Sequence, residues 1–374
     1  MNQPNTDKIP RKFRILIAPL DWGLGHATRC IPIIRSFLQK DVDMWLAGEG
    51  AQAQLLHTEF PSLPILDLQG YQIKYAKTKR GLLWKIFRQL PKMKKAIARE
   101  NKWLQQQIDT YHFDLVISDN RYGLHHLIVP CIFITHQLTI QSPAGKWTEK
   151  ILQKINYRYI NRFTTCWIPD VAGQENLAGV LSHPTHRPKI PSQYIGWLSR
   201  LKKETNTTTT HHLCVILSGP EPQRSILEQK MLQEISQYNG TATIVRGLPA
   251  TASIIPSTNM IKVYNHLPAA ELEKEMQKAM YIIGRSGYST IMDIIALGKK
   301  AILLPTPGQT EQEYLATYLM KKNIAFTCSS KNFSLTNVLQ AAESFPYQIP
   351  AMSSANLLTA AIEELLHQLR VVKK

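Results

Sequence analysis

Four short stretches of this 374-residue chain hold the side-chain types that move protons or grip anions. The first is Leu20-Asp21-Trp22-Gly23-Leu24-Gly25-His26-Ala27-Thr28-Arg29. Gly23 and Gly25, at a strand-to-helix turn, let the backbone approach a ligand, and the helix start offers unpaired N–H groups to an anion. His26 would stand at the positive end of the helix dipole, which lowers imidazole basicity and leaves a neutral ring suited to general-base work. A histidine that only caps or packs the turn is the plainer alternative. A dinucleotide fingerprint would carry a third glycine where Thr28 stands, although Glu49 falls about where such a site keeps its ribose-binding acid.

The second stretch is Asp114-Leu115-Val116-Ile117-Ser118-Asp119-Asn120. Asp119 follows a short buried strand on the sheet edge expected for His26, so its carboxylate can accept the ring N–H, fix the tautomer and stabilise an imidazolium. A capping or turn role is an equal alternative. His136-Gln137 also follows a strand and would line the same cleft, with Gly23 and Gly25 on its wall. The third stretch is Gly284-Arg285-Ser286-Gly287-Tyr288-Ser289-Thr290-Ile291-Met292-Asp293. Glycines and hydroxyls leading into a helix suit a diphosphate, with Arg285, Ser286, Gly287, Ser289 and Thr290 around it. Asp293 shares their helix face and is suited to a ribose diol. The loop 305–314 then supplies Gln312 and Glu313 for sugar hydroxyls. The fourth, Ser218-Gly219-Pro220-Glu221, places Gly219 where it too can approach phosphate. Asp41-Val42-Asp43 imitates an Asp-x-Asp metal motif but precedes a strand instead of ending one, so no metal is expected.

The elements that must position these groups alternate. Short apolar runs at 13–18, 44–47, 65–68, 115–118 and 131–135 read as strands, with helical spacing at 28–39 and 82–107. After several prolines and the polar run 202–212 the pattern restarts, with strands at 213–217, 243–245, 281–283 and 301–304 and a helix at 268–280. Strands alternating with helices imply parallel sheets covered on both faces. The fold class is therefore α/β: two Rossmann-like, doubly wound parallel-sheet domains facing across a cleft, spanning 1–198 and 199–374. The last helix, 355–369, is expected to pack back on the first domain.

Lys and Arg number 44 against 27 Asp and Glu, a formal charge of +17, which favours anionic partners and says nothing about fold. The basic amphipathic segment 74–102 interleaves Lys92, Lys94 and Lys95 with Leu82, Leu83, Trp84 and Phe87, the composition of a membrane-surface element. A solvated helix packing on its own domain is the alternative. With no nucleic-acid motif alongside the charge, a nucleic-acid partner is not expected. The five cysteines, odd in number and scattered, read as reduced thiols. With no signal peptide or spanning segment visible, the expected location is cytoplasmic, peripheral on the inner face of the plasma membrane.

At these residues the chain resembles the two-domain GT-B glycosyltransferases, most closely the MurG-like branch. The branch's Gly-Gly-x-Gly-Gly-His turn is matched in part by Gly23–His26. Its His-Glu-Gln-Asn segment is matched only by His136-Gln137. Its Arg-Ser-Gly-x-x-Thr-x-x-Glu signature is matched by Arg285, Ser286, Gly287, Thr290 and Asp293, with Asp for Glu. A Gln-Gln pair after a proline loop appears as Gln312-Glu313. The resemblance implies inverting transfer from a UDP-sugar without an obligatory metal. Asp293 would bind the uridine ribose, Ser286 and Gly287 the diphosphate, and Gln312 and Glu313 the sugar, with His26 as base and Asp119 as its orienting acid. The implied acceptor is a glycan or glycolipid. Gly-Leu-Gly-His-x-x-Arg-Cys, with Arg29 and Cys30, also resembles a UDP-sugar hydrolase in which the His activates water. A UDP-sugar hydrolase or epimerase, and a non-catalytic nucleotide-sugar or membrane-binding module, stay open as alternatives.

Overall fold

The computed structural model describes residues 11–71, 82–204, 210–249, 251–331, 333–351 and 355–372. The first sheet comprises β1 (Phe13–Pro19), β2 (Val42–Gly48), β3 (Ile65–Asp67), β4 (Leu115–Asp119), β5 (Cys131–Ile134), β6 (Thr165–Ile168) and β7 (Ser192–Tyr194). Their order is β3-β2-β1-β4-β5-β6-β7, with parallel pairing throughout. Helices α1 (Leu24–Leu38), α2 (Gly50–Glu59), α3 (Leu82–Tyr111) and α4 (Lys146–Ile160) cover it. The second sheet holds β8 (His212–Ile216), β9 (Thr241–Val245), β10 (Ile261–Tyr264), β11 (Tyr281–Gly284), β12 (Lys300–Leu303) and β13 (Phe326–Thr327), in the parallel order β10-β9-β8-β11-β12-β13. It carries α5 (Gln223–Ile235), α6 (Ala269–Lys278), α7 (Tyr288–Ala296), α8 (Thr310–Lys321), α9 (Leu335–Glu343) and α10 (Ala355–Val372).

Central strands such as β1 and β4 are continuous apolar runs because helices bury both of their faces. Ile15, Leu16, Ile17, Leu115, Val116 and Ile117 are fully buried. Each such side chain contributes roughly 1.5–3 kcal/mol of burial. In both sheets the strand order reverses once, between β1 and β4 and between β8 and β11. Ligands bind open α/β sheets at that reversal, beyond the carboxyl ends of the strands. The register sets Pro19 opposite Asp119, so the turn after β1 and the end of β4 are neighbours.

Several boundaries differ from the sequence expectation. The first helix begins at Leu24 instead of residue 28, because Gly23, with φ of 89°, makes the turn alone and Gly25 is already helical. Strand β6 and the edge strands β7, β10 and β13 are additional. The helix begun at residue 82 runs on to Tyr111.

The chain leaves the first sheet through Trp197 and Leu198, both buried, and the Leu198 N–H points to Met292 Sδ at 3.2 Å. Asp170 anchors this exit. Its carboxylate accepts from the N–H groups of Val171, Leu177 and Ala178, from Ser182 Oγ at 2.6 Å and from Trp197 Nε1 at 3.1 Å. Helix α10 lies against α1: Leu358, Ile362 and Leu365 share one core with Ile31 and Ile34, and Lys40 pairs with Glu363 at 2.7 Å.

Most of the basic segment's first part, 72–81, lies outside the described residues. Leu82, Leu83, Trp84 and Phe87 are in α3, but their side chains also lie outside what is described, whereas Lys92, Lys94 and Lys95 are exposed on it. Among the described residues no helix is long and apolar enough to cross a membrane, and no group of three or more His, Cys, Asp and Glu side chains is placed to hold a metal ion.

Candidate active site between the two sheets

His26 lies in the first turn of α1 and Asp119 ends β4, so adjacent strands deliver both to one point. His26 Nδ1 is 3.2 Å from Asp119 Oδ2. Arg29, three residues on and therefore on the same helical face, forks onto the carboxylate. Its Nε donates to Oδ2 at 2.8 Å and its Nη2 to Oδ1. The same Nη2 is 2.8 Å from His26 Nδ1, and Nη1 is 3.2 Å from His136 Nδ1. Arg29 is 2% and Asp119 0% exposed, which makes this a desolvated ion pair and not a surface contact.

The electrostatics follow from that burial. Desolvation opposes ionisation of Asp119, but Arg29 and His26 outweigh it and hold its pKa at about 2. Burial, and then the Arg29 charge, push His26 below the usual imidazole range despite Asp119, so its ring is neutral near pH 7. The buried Cys30 thiol, 3.7 Å from Asp119, is pushed well up and is inert as a nucleophile.

The second sheet closes the site from the other side. Ser289 Oγ donates to the Gly25 carbonyl at 2.8 Å, and a side chain at Gly25 would come to 3.1 Å of that hydroxyl. Tyr288 stacks on His136, ring centres 4.2 Å apart and 12° from parallel, and its hydroxyl donates to the Pro169 carbonyl at 2.8 Å. Glu311, in the first turn of α8, is 2.8 Å from His136 Nε2 and accepts from Gln137 Nε2. Desolvation opposes its charge, but His136 and Arg29 keep its pKa below the usual carboxylate value. Helices α1, α7 and α8 thus converge, and at Gly23, Gly287 and Gln309 none has its N-cap filled by a side-chain hydrogen bond. Three uncapped N-termini around one cleft are a site for anionic oxygen.

The donor-side residues divide into two groups. Arg285 is buried and donates to the carbonyls of Gln223, Leu304 and Pro305, tying three loops together. No carboxylate among the described residues pairs with it, and burial lowers its pKa to about 10. Ser286 Oγ donates to the Gln312 carbonyl, and Gln312 Oε1 accepts from the Thr306 N–H, so these side chains shape the loops. Thr306 Oγ1 is buried without a partner beside Gly219. Glu313 Oε1 accepts from the Gly308 N–H at 2.9 Å, and Ser289 and Thr290 form the partly exposed first turn of α7. Asp293 stands apart, further along α7 than its first turn, accepting from Ser199 Oγ at 2.7 Å where the chain crosses between the sheets.

Residues 250–369 match the Glycosyltransferase family 28 C-terminal domain, a stretch that includes the α7 and α8 loops. The chain is 25% identical over 204 residues to the UDP-N-acetylglucosamine--N-acetylmuramyl-(pentapeptide) pyrophosphoryl-undecaprenol N-acetylglucosamine transferase of Haemophilus ducreyi, covering 53% of this chain and 54% of that one. It is 29% identical over 100 residues to the enzyme of that name from Methylorubrum extorquens, covering 24% and 27%. The matches therefore span about half and about a quarter of those relatives.

Among solved structures, the glycosyltransferase SnogD of Streptomyces nogalater superposes with a TM-score of 0.62 at 12% identity, over 96% of this chain and all of that one. Acinetobacter baumannii MurG superposes at 0.54 and 13%, with coverage of 96% and 100%. The fold is the GT-B arrangement of two Rossmann-like domains, MurG-like in its resemblance, as the order of the motifs implies.

Sequence reasoning did not single out Glu311 or Tyr288 and gave Arg29 no role. The i, i+3 spacing from His26 was a readable signal for Arg29. Glu311 and Tyr288 meet His136 only through the placement of one sheet against the other.

Proposed function

We propose that the chain transfers a sugar from a UDP-sugar to an acceptor hydroxyl with inversion, and that the acceptor is lipid-linked. The observation that carries the reading is the His26–Asp119 contact, set among three converging, uncapped helix N-termini. With Nδ1–H donated to Asp119, Nε2 takes the proton from the acceptor hydroxyl as its oxygen attacks the anomeric carbon. The N-termini of α7 and α8 stabilise the departing diphosphate, and closure of the cleft holds the reactants in line. The UDP-sugar class is supported by the family 28 domain and by the relatives' printed donor.

The competing reading, hydrolysis with water as acceptor, draws on Arg29 and Cys30, which both touch Asp119. Incubation with UDP-sugars, with and without a polyprenyl-diphosphate-sugar acceptor, separates the two. Transfer gives a glycosylated lipid and little free sugar, whereas free sugar formed at the same rate without acceptor would sink the transferase reading. A thermal-shift screen of nucleotides identifies the donor, since a ligand that binds the folded state raises its melting temperature.

Asp293 is assigned to the donor ribose. Asp293→Ala is expected to weaken UDP binding by about 10-fold, the loss of one charged hydrogen-bonding partner. Calorimetric titration checks this, and unchanged affinity moves the ribose elsewhere. Peripheral membrane contact is assigned to the α3 segment, on which Lys92, Lys94 and Lys95 are exposed. Changing all three to glutamate is expected to abolish co-flotation with anionic vesicles, each basic residue contributing about 1 kcal/mol. Flotation that persists at wild-type level removes α3 from the contact.

A further inference from the structure

We propose that Arg29 is a positioning residue that decides which tautomer and which charge His26 holds, resting on the reading of His26 as the base. The ring nitrogen Nδ1 can make one hydrogen bond, yet two partners stand within reach: Asp119 Oδ2 at 3.2 Å and Arg29 Nη2 at 2.8 Å. They demand opposite states. Asp119 is an acceptor and requires Nδ1–H, which bares Nε2 for proton uptake. Arg29 is a permanent donor and requires a bare Nδ1, which places the proton on Nε2 and switches the base off. The ratio of the two tautomers is set by how far Arg29 is occupied elsewhere.

That occupation is visible. Arg29 spends Nε and Nη2 on Asp119 and directs Nη1 at His136 Nδ1. His136 accepts there, so its proton is on Nε2 and points at Glu311 Oε1, 2.8 Å away. Gln137 holds the second oxygen of Glu311. A hydrogen-bonded line therefore runs from Glu311 of the second sheet through His136 to Arg29 and the base.

The charged and titratable groups facing His26 are Arg29 and Cys30 on α1, Asp119 on β4, His136 after β5 and Glu311 on α8. With both histidines neutral, one guanidinium faces two carboxylates, a net charge of minus one. A proton on His26 cancels it. Arg29 thus keeps the ring neutral at rest, and Glu311 offsets Arg29 at the moment His26 becomes an imidazolium. The direction of the His26 shift, downward from burial and Arg29 together, agrees with this.

The test is direct titration of the His26 ring by NMR on the full chain, following its Cε1–H and ¹⁵N signals in wild type, Arg29→Gln and Arg29→Lys. In Arg29→Gln the midpoint is expected to rise by about one pH unit, the effect of removing one adjacent charge, with the ¹⁵N pattern showing a larger share of the Nδ1–H tautomer than in wild type. An unmoved midpoint and unmoved tautomer in the folded variant overturn the proposal. Arg29→Lys keeps the charge without the fork and protects the fold if Arg29→Gln does not form. Its midpoint is expected to stay within a few tenths of wild type while the ¹⁵N signals show a larger share of Nδ1–H, and a wild-type tautomer ratio there overturns the proposal.

The acid limb of kcat/KM should travel with the NMR midpoint. If the ring titrates as expected but His26→Ala retains turnover, the base assignment fails while the Arg29 effect stands.

Discussion

Replacing His26 by alanine is expected to lower turnover by about 10²–10⁴-fold, the usual contribution of a positioned general base, while UDP binding changes by less than 2-fold. The split follows from where the side chain sits. His26 contacts Asp119 and Arg29 in the first sheet's half of the cleft, whereas the α7 and α8 loops hang on Arg285, Ser286 and Gln312. Its side chain is 15% exposed and it is one of several partners of Asp119, so removing it leaves the Arg29 fork in place. Initial rates with a UDP-sugar, set beside calorimetric UDP binding to the same preparation, decide the matter. Retained turnover withdraws the role of base from His26, and lost UDP binding makes the residue structural.

Asp119→Ala is expected to act first on stability. Its carboxylate, fully buried, is the only anion in the Arg29 fork, and deleting it strands a guanidinium that is 2% exposed. Breaking a buried pair from one side costs about 3–5 kcal/mol. For a domain of this size that corresponds to a melting temperature roughly 6–20 °C lower. Arg29→Met in the same chain should recover much of the loss, since an apolar replacement of both partners removes the stranded charge. Scanning calorimetry of the single and double variants reads this out. A single variant melting with wild type would show that water reaches Arg29.

The pair also gives acid sensitivity a sign. Asp119 titrates at about 2 when folded against an ordinary 3.8, so its contribution is fully present above pH 4 and is lost as pH falls towards 2.

Much of the first sheet was legible because β1, β4 and β5 are buried on both faces and must read as unbroken apolar runs. Strand β7, Ser192-Gln193-Tyr194, lies at a sheet edge with every residue half-buried, so it carries no such signature. Strand β13 is two residues long. The helix start was placed late because Gly25 and His26 are poor helix formers, and tertiary packing against Ser289 overrides that preference. The meeting of His26 and Asp119 was readable from local order alone, since a turn after β1 and the end of β4 adjoin wherever the strand order reverses. Contacts of Glu311 with His136 and of Tyr288 with Pro169 depend on how one sheet sits on the other, which no periodicity within either half encodes.

The path of the last helix sets the mechanics of the cleft. The chain passes between the sheets once near Trp197 and again where α10 returns to α1, held by Lys40–Glu363. A single tether would act as a ball joint, free to swivel about three axes. Two tethers define a line, like the pins of a door, and leave rotation about that line as the soft motion. Opening by this rotation separates Ser289 from Gly25 and Glu311 from His136 along a common arc. The two halves would then re-engage in one register each time they shut.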